Sequence, residues 1–368
     1  MSVFEQIGCR PIINASGKMT ALGASAVTPS VAAVLAEAAQ DYVELKELLV
    51  KAGRVIAEAT GTPDGCPATG AAGAIVIGVA GVIAGEDLTL IEAVPDVPGV
   101  PNEIIIQKGH VVNFGASITQ LLRIAGGVPV EVGQANRVNS AHISGAISPR
   151  TAALLYVKSH HAVQKGMVSL EEMAAIAKQH GLPLLVDAAA EEDFGQYYRR
   201  GGDLVFCSGG KALNGPTSGF LCGRADLVAA ARAQYAGVGR PMKVGKEAVL
   251  ALCAALTEYA RRPDVSEQQR VAMQRLCDRL NLVPGLQAGV SADESGRAIY
   301  RARIVVDAEA FGMDAVELTT RLKQGAPAIF TRDHYANTGS FMVDPRPLLP
   351  GQDEQIAGAI EALARKEN

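Results

Sequence analysis

The sequence predicts an α/β protein in which a large domain on a mostly parallel sheet is followed by a smaller α+β domain. Two observations carry this. Short apolar runs at 103–107, 128–132, 153–157, 184–187 and 204–207 are separated by helical patterns such as that at 170–180, the alternation expected of a chain of βαβ units. Beyond Gly245 the pattern changes to two long helical stretches, one to about 261 and one over 266–281, then apolar runs at 299–306 and 328–331 and helical patterns at 314–323 and 352–364. With 368 residues the chain can bury a sizeable core and form more than one domain. We expect an N-terminal arm over 1–30, a large domain over 31–245, and an interdomain helix with a small domain over 246–368.

Taken in order, the arm (IINASGKMTALGASAVTPS) leads into a helical segment over 31–60. The stretch 68–85 is long and uncharged enough to raise the question of a membrane span. Its glycine and alanine content, Pro67 at its start and the Gly85-Glu86-Asp87 stop make it a buried helix instead. The proline-rich 95–101 is a surface loop, and no internal repeat interrupts the pattern.

Composition excludes several classes of function. Hydrophobic residues make up 48% of the chain and tryptophan is absent, so alanine, valine, leucine and glycine do most of the packing. Lysine and arginine number 34 against 38 acidic residues, for a net charge of -4 without a long basic run, so a nucleic-acid partner is not expected. Six cysteines at 9, 66, 207, 222, 253 and 277 form no CxxC pair, and no histidine spacing completes a zinc site. No metal is expected, and the thiols suit a reducing cytoplasm. The start MSVFEQIGCRPIIN lacks the features of a signal peptide.

The segment 208–219, SGGKALNGPTSG, carries the chemistry. It places Lys211 on a glycine-rich connection between the apolar runs 204–207 and 220–222. An amine held there can form a Schiff base with an aldehyde cofactor, and pyridoxal 5'-phosphate is the candidate. Read alone, the segment is equally a surface turn that carries a lysine. Upstream, LPLLVDAAAEED delivers Asp187 at the end of an apolar strand, where ligand crevices of parallel sheets lie. A carboxylate there can pair with a pyridinium nitrogen; otherwise it is a strand-end aspartate or a helix cap. The third element is TGAAGA, whose Thr69, Gly70, Ala71 and Ala72 would open a helix and offer backbone N–H groups to a phosphate. Ser208 could add a hydroxyl. A tightly packed helix start is the alternative for TGAAGA.

The order of glycine-rich turn, Asp187 and SGGK resembles the fold-type I pyridoxal-phosphate enzymes. EVGQANR, VKSHHAVQKG and DPRPL are similar to their selenium-transferase-like branch. INASGKMTALG, KGHVVNFG, KSHHAVQKG, VDAAAEED and GRPMKVGKE further resemble its D-glucosaminate-6-phosphate ammonia-lyase family. The resemblance spans nearly the whole chain. It implies a mostly parallel seven-stranded sheet and a homo-oligomer, at least a dimer, with active sites at the subunit interface. It also implies β-elimination from a small amino-sugar acid, yielding a 2-keto-3-deoxy acid and ammonia, with Lys211 as the mobile base. Racemisation, retro-aldol cleavage or group transfer on another amino acid remains open, because each begins from the same carbanion. A tRNA-dependent selenium transferase fits less well: the chain opens directly on the INASG arm, leading us to expect no tRNA-binding domain before it.

Elimination needs an acid near the leaving hydroxyl, for which His110, His160 and His161 are candidates because all follow strand ends and imidazole donates protons near neutrality. His110 could instead stack on the cofactor ring. For anionic groups, Arg332 in AIFTRDHY resembles the C-terminal arginine that takes the substrate carboxylate in fold-type I enzymes, and a guanidinium suits that task. Arg240, Lys243 and Lys246 form a basic cluster that could reach a phosphate, or else a solvated helix start. Glu191, Glu192 and Asp193 either contact substrate hydroxyls or favour the start of the next helix.

Overall fold

The computed structural model describes residues 2–159, 161–293 and 297–365. They form two compact units, 26–262 and 1–25 together with 263–368. The described strands are β1 (Ile12–Ala15), β2 (Asp64–Ala68), β3 (Glu103–Gln107), β4 (Val128–Val132), β5 (Thr151–Val157), β6 (Leu184–Asp187), β7 (Leu204–Ser208), β8 (Gly219–Gly223), β9 (Leu286–Ala292), β10 (Tyr300–Val306), β11 (Ala328–Thr331) and β12 (Ser340–Val343).

The larger unit is built on a seven-stranded sheet of order β2-β8-β7-β6-β5-β3-β4. β8 runs antiparallel to both its neighbours, and the other ladders are parallel. The continuous apolar runs follow from burial on both faces. Ile104, Ile106, Leu155, Leu185 and Phe206 enter one core cluster, whereas Ile105, Leu154, Val186 and Val205 enter another on the opposite face. The first cluster includes the Ala71–Ala84 helix, which is buried almost throughout. Its glycines permit close packing: a Cβ on Gly78 would stand 2.4 Å from the Phe206 ring, and one on Gly81 2.6 Å from the Ala231 nitrogen. No helix among the described residues is long and apolar enough to cross a membrane.

The segment expected as one helix over 31–60 is two, Pro29–Ala39 and Leu45–Thr60. The reason is local. Glu44 accepts hydrogen bonds from the Lys46 and Glu47 N–H groups at 3.2 and 2.6 Å, which starts a new helix where the first has ended. The Lys246–Tyr259 helix packs against both and belongs to the 26–262 unit.

In the other unit an antiparallel sheet of order β12-β10-β9 packs against the Ser266–Leu280 helix, and β1 of the arm pairs in parallel with β11. Its core gathers Ile13, Met273, Leu276, Ile304, Leu318, Phe341 and Ile360.

Candidate active site

Topology alone brings the larger unit's chemistry to one edge. The C-terminal ends of β2, β3, β5, β6 and β7 lie there, and because β8 runs the other way, its first residue Gly219 lies opposite both Ala68 and Ser208. β3 is followed outward by β4 and flanked on its other side by β5, so the strand order reverses at β3 and β5, where ligand crevices form.

Asp187 ends β6, in register with Val157 and Phe206, and is 5% exposed. Its Oδ1 accepts the Ala189 N–H at 3.1 Å. Burial pushes the carboxyl up to about 6, with the Ala189 N–H and the charge of Lys211 pulling it back. Burial lowers the pKa of the half-buried Lys211, and the charge of Asp187 opposes that shift. Each group therefore lies in the field of the other, and the two are poised with their proton affinities drawn together.

The loop that carries Lys211 folds on itself. Gly209 N–H donates to Ser218 O at 2.8 Å, Gly215 N–H to Gly209 O at 2.8 Å, and Asn214 N–H to Lys211 O at 3.1 Å. Ser208 N–H donates to Ala189 O at 3.3 Å, which ties the loop's root to the turn after Asp187. Beside it, Gly70 opens the Ala71–Ala84 helix without a side-chain cap. A Cβ on Gly219 would meet the Gly70 carbonyl carbon at 2.3 Å and the Ala71 nitrogen at 2.7 Å, so only glycine lets β8 begin this close to the helix. On the far side, a Cβ on Gly73 would meet Thr69 Oγ1 at 2.7 Å and Met242 Cβ at 3.7 Å. The outcome is a small-residue cup over an uncapped helix N-terminus, which suits a phosphate. Thr69, Gly70, Ala71 and Ala72 form the cup, Asp187 supplies a buried carboxyl and Lys211 an amine. Together they could hold a phosphate-bearing aldehyde cofactor.

The histidines divide. His110 is wholly buried; its Nδ1 accepts the Val157 N–H at 3.2 Å, and its ring meets Tyr156 edge-on at 4.6 Å. Burial, with the charge of Lys158, lowers its pKa to about 4, so the ring is neutral at pH 7. His160 lies outside the described residues. His161 is exposed and packs at 5.4 Å against Phe114, whose ring centre is 5.5 Å from Lys211 Nζ. Sequence reasoning passed over Phe114. The available signal was a ring in the loop after β3 of a chain that is only 4% aromatic and has no tryptophan.

The cations also separate. Arg240 and Lys243 are exposed and line a cavity of about 760 Å³ with Lys46, Glu86 and Arg232. Lys246 does not join them: its Nζ donates to the Ala38 and Ala39 carbonyls at 2.5 and 3.0 Å and so closes the end of the Pro29–Ala39 helix. Arg332 belongs to the smaller unit, where it bridges Met342 through its backbone and burial lowers the pKa of its guanidinium. The acidic run has structural partners. Tyr197 OH donates to Glu191 at 2.6 Å, Tyr259 OH to the Glu192 carbonyl at 3.1 Å, and Asp193 caps Gln196 and pairs with Arg199 at 2.6 Å. Among the described residues no cluster of histidine, cysteine and carboxylates is gathered to hold a metal.

Residues 12–284 match the family of SelA, L-seryl-tRNA selenium transferase. The chain is 43% identical to a 5'-C-glycyluridine monooxygenase-decarboxylase of Streptomyces sp, over 98% of this chain and 91% of that protein. It is 40% identical to a D-glucosaminate-6-phosphate ammonia lyase of Salmonella typhimurium, over 99% and 98%. A solved structure of D-glucosaminate-6-phosphate ammonia-lyase superposes with a TM-score of 0.95 at 39% identity, covering 100% of this chain and 99% of the other. The fold is that of the fold-type I pyridoxal-phosphate enzymes.

Proposed function

Because the chain belongs to the SelA family of L-seryl-tRNA selenium transferases, we propose that it is a pyridoxal-phosphate-dependent ammonia-lyase. Its substrate is D-glucosaminate 6-phosphate or a related amino-sugar acid, and its products are a 2-keto-3-deoxy acid and ammonia. The observation that carries this reading is the end-to-end agreement with the solved ammonia-lyase.

The chain's own residues support the chemistry. Lys211 would hold the cofactor's aldehyde, the cup at Thr69, Gly70, Ala71 and Ala72 its phosphate with Ser208 nearby, and Asp187 its ring nitrogen. Bound there, the cofactor supplies an electron sink for the pair left at Cα. Lys211 Nζ takes the Cα proton, a task helped by burial that favours its neutral form. Phe114 offers an apolar wall beside that amine. The C3 hydroxyl leaves with a proton from Lys211 or from His161, the exposed imidazole across the Phe114 ring. His110, enclosed and neutral, holds the ends of β3 and β5 together. Arg332 takes the substrate carboxylate, and Arg240 and Lys243 its phosphate. Water lost from C3 is regained when the enamine hydrolyses, so the net change is release of ammonia without an oxidant or reductant. The working assembly is at least a dimer.

The test is to incubate the purified protein with D-glucosaminate 6-phosphate and follow keto acid and ammonia together. Release of both in equal amounts is expected. No ammonia, with solvent deuterium entering Cα, would overturn the reading in favour of a racemase. A second reading rests on the 43% identity to the monooxygenase-decarboxylase, whose name implies that dioxygen is used and carbon dioxide lost. Turnover that stops under anaerobic conditions would select it.

A further inference from the structure

In the smaller unit, four guanidiniums surround two carboxylates. Asp344 is fully buried and accepts Arg301 Nε at 2.8 Å, Arg346 Nε at 2.9 Å, Arg346 Nη2 at 2.8 Å and the Arg346 backbone N–H at 3.1 Å. Asp293 pairs with Arg297 at 2.9 Å and with Arg301 at 2.8 Å. Arg332 lies in the field of this group but makes no ion pair among the described residues. Burial and the neighbouring charges of Arg301 and Arg346 lower the pKa of Arg332, and the charges of Asp344 and Asp293 oppose that shift, so its guanidinium is a desolvated cation in a crowd of like charges.

The arm turn shows where the two outer guanidiniums converge. Asn14 Nδ2 donates to Gly17 O at 2.9 Å, and Asp344 N–H to Ala15 O at 2.8 Å, which fixes the turn on the end of β12. A Cβ on Gly17, whose φ is +109°, would meet Asp344 Oδ2 at 3.4 Å, Arg346 Nη2 at 3.6 Å and Arg332 Nη1 at 3.8 Å. Arg332 and Arg346 therefore flank one point beneath the arm, and Asp344 holds Arg346 there by a two-toothed contact.

We propose that Arg346 is the second guanidinium of the anion site to which Arg332 belongs, that Asp344 is its positioning residue, and that a ligand carboxylate is gripped between the two arginines. This rests on the reading that the chain acts on an amino acid, and it makes Arg346 a determinant of carboxylate specificity.

The test is calorimetric binding of two unreactive probes to the cofactor-loaded protein, D-gluconate 6-phosphate and D-glucitol 6-phosphate, which differ by the carboxylate. Wild type is expected to prefer the acid. Arg346→Gln should weaken acid binding by about 10- to 100-fold and leave the alcohol within about twofold, the range for losing a charge-assisted hydrogen bond. Arg346→Lys, which keeps a cation beside Asp344 and so guards against misfolding, should recover part of the preference. Equal losses for both probes, or an unchanged preference in both variants, would overturn the proposal, as would a wild type with no preference. If Arg332→Gln alone abolishes the preference, Arg346 is excluded while the functional reading stands. If wild type prefers the acid yet releases no ammonia from the amino acid, the functional reading alone falls.

Discussion

Asp187→Asn should stabilise the cofactor-free protein while disabling it. The carboxyl ends a buried strand, and its folded pKa of about 6 stands against a reference of 3.8. The folded chain thus holds the proton more tightly than the unfolded one. Stability falls as pH rises from about 4 to about 6, and the full penalty applies above that window. A shift of this size corresponds to about 3 kcal/mol of cost in the ionised, cofactor-free form. Asparagine carries no charge and keeps an oxygen for the Ala189 N–H. Urea unfolding at pH 8 should therefore show a midpoint about 1 M higher for the cofactor-free variant, taking an m value of about 3 kcal/mol per M. At pH 4 the two midpoints should coincide. With cofactor bound the order should reverse, because the wild-type carboxylate then has a cationic partner. An equal gain at both pH values would refute the reasoning, since it would show packing rather than charge to be the cause.

Three further outcomes are expected. Lys211→Ala should abolish the visible absorption of the cofactor-loaded protein and lower turnover by about 10²-fold or more, as for loss of a general base; a variant that keeps both would show another amine to be the anchor. Gly219→Ala drives a methyl against Gly70 and Ala71, so it should cost about 1–3 kcal/mol in thermal or urea unfolding and weaken cofactor binding in an equilibrium titration. Lys246→Met should lower stability by about 1 kcal/mol by uncapping the Pro29–Ala39 helix, with KM for the phosphorylated substrate unchanged, whereas Arg240→Gln and Lys243→Gln should raise that KM.

The sequence by itself determined the central sheet, because strands buried on both faces must be apolar without interruption, as in 103–107, 184–187 and 204–207. It also placed Asp187 at the end of one such strand and Lys211 in the connection that follows another, positions set by the apolar runs themselves. β2 was not legible: DGCPA carries an aspartate, a glycine and a proline, and becomes a strand only because β8 offers a partner and an edge position tolerates Pro67. β9 is half-exposed along its length at a sheet edge, so its pattern is equally weak. What surrounds each candidate cation and ring was decided by tertiary structure alone. Lys243 and Lys246 are three residues apart, yet one lines an open cavity and the other closes a helix; His110 is sealed under β5 while Phe114 reaches Lys211. Residue type fixes what a side chain can do, but burial and distance fix what it does, and these depend on partners remote in the chain.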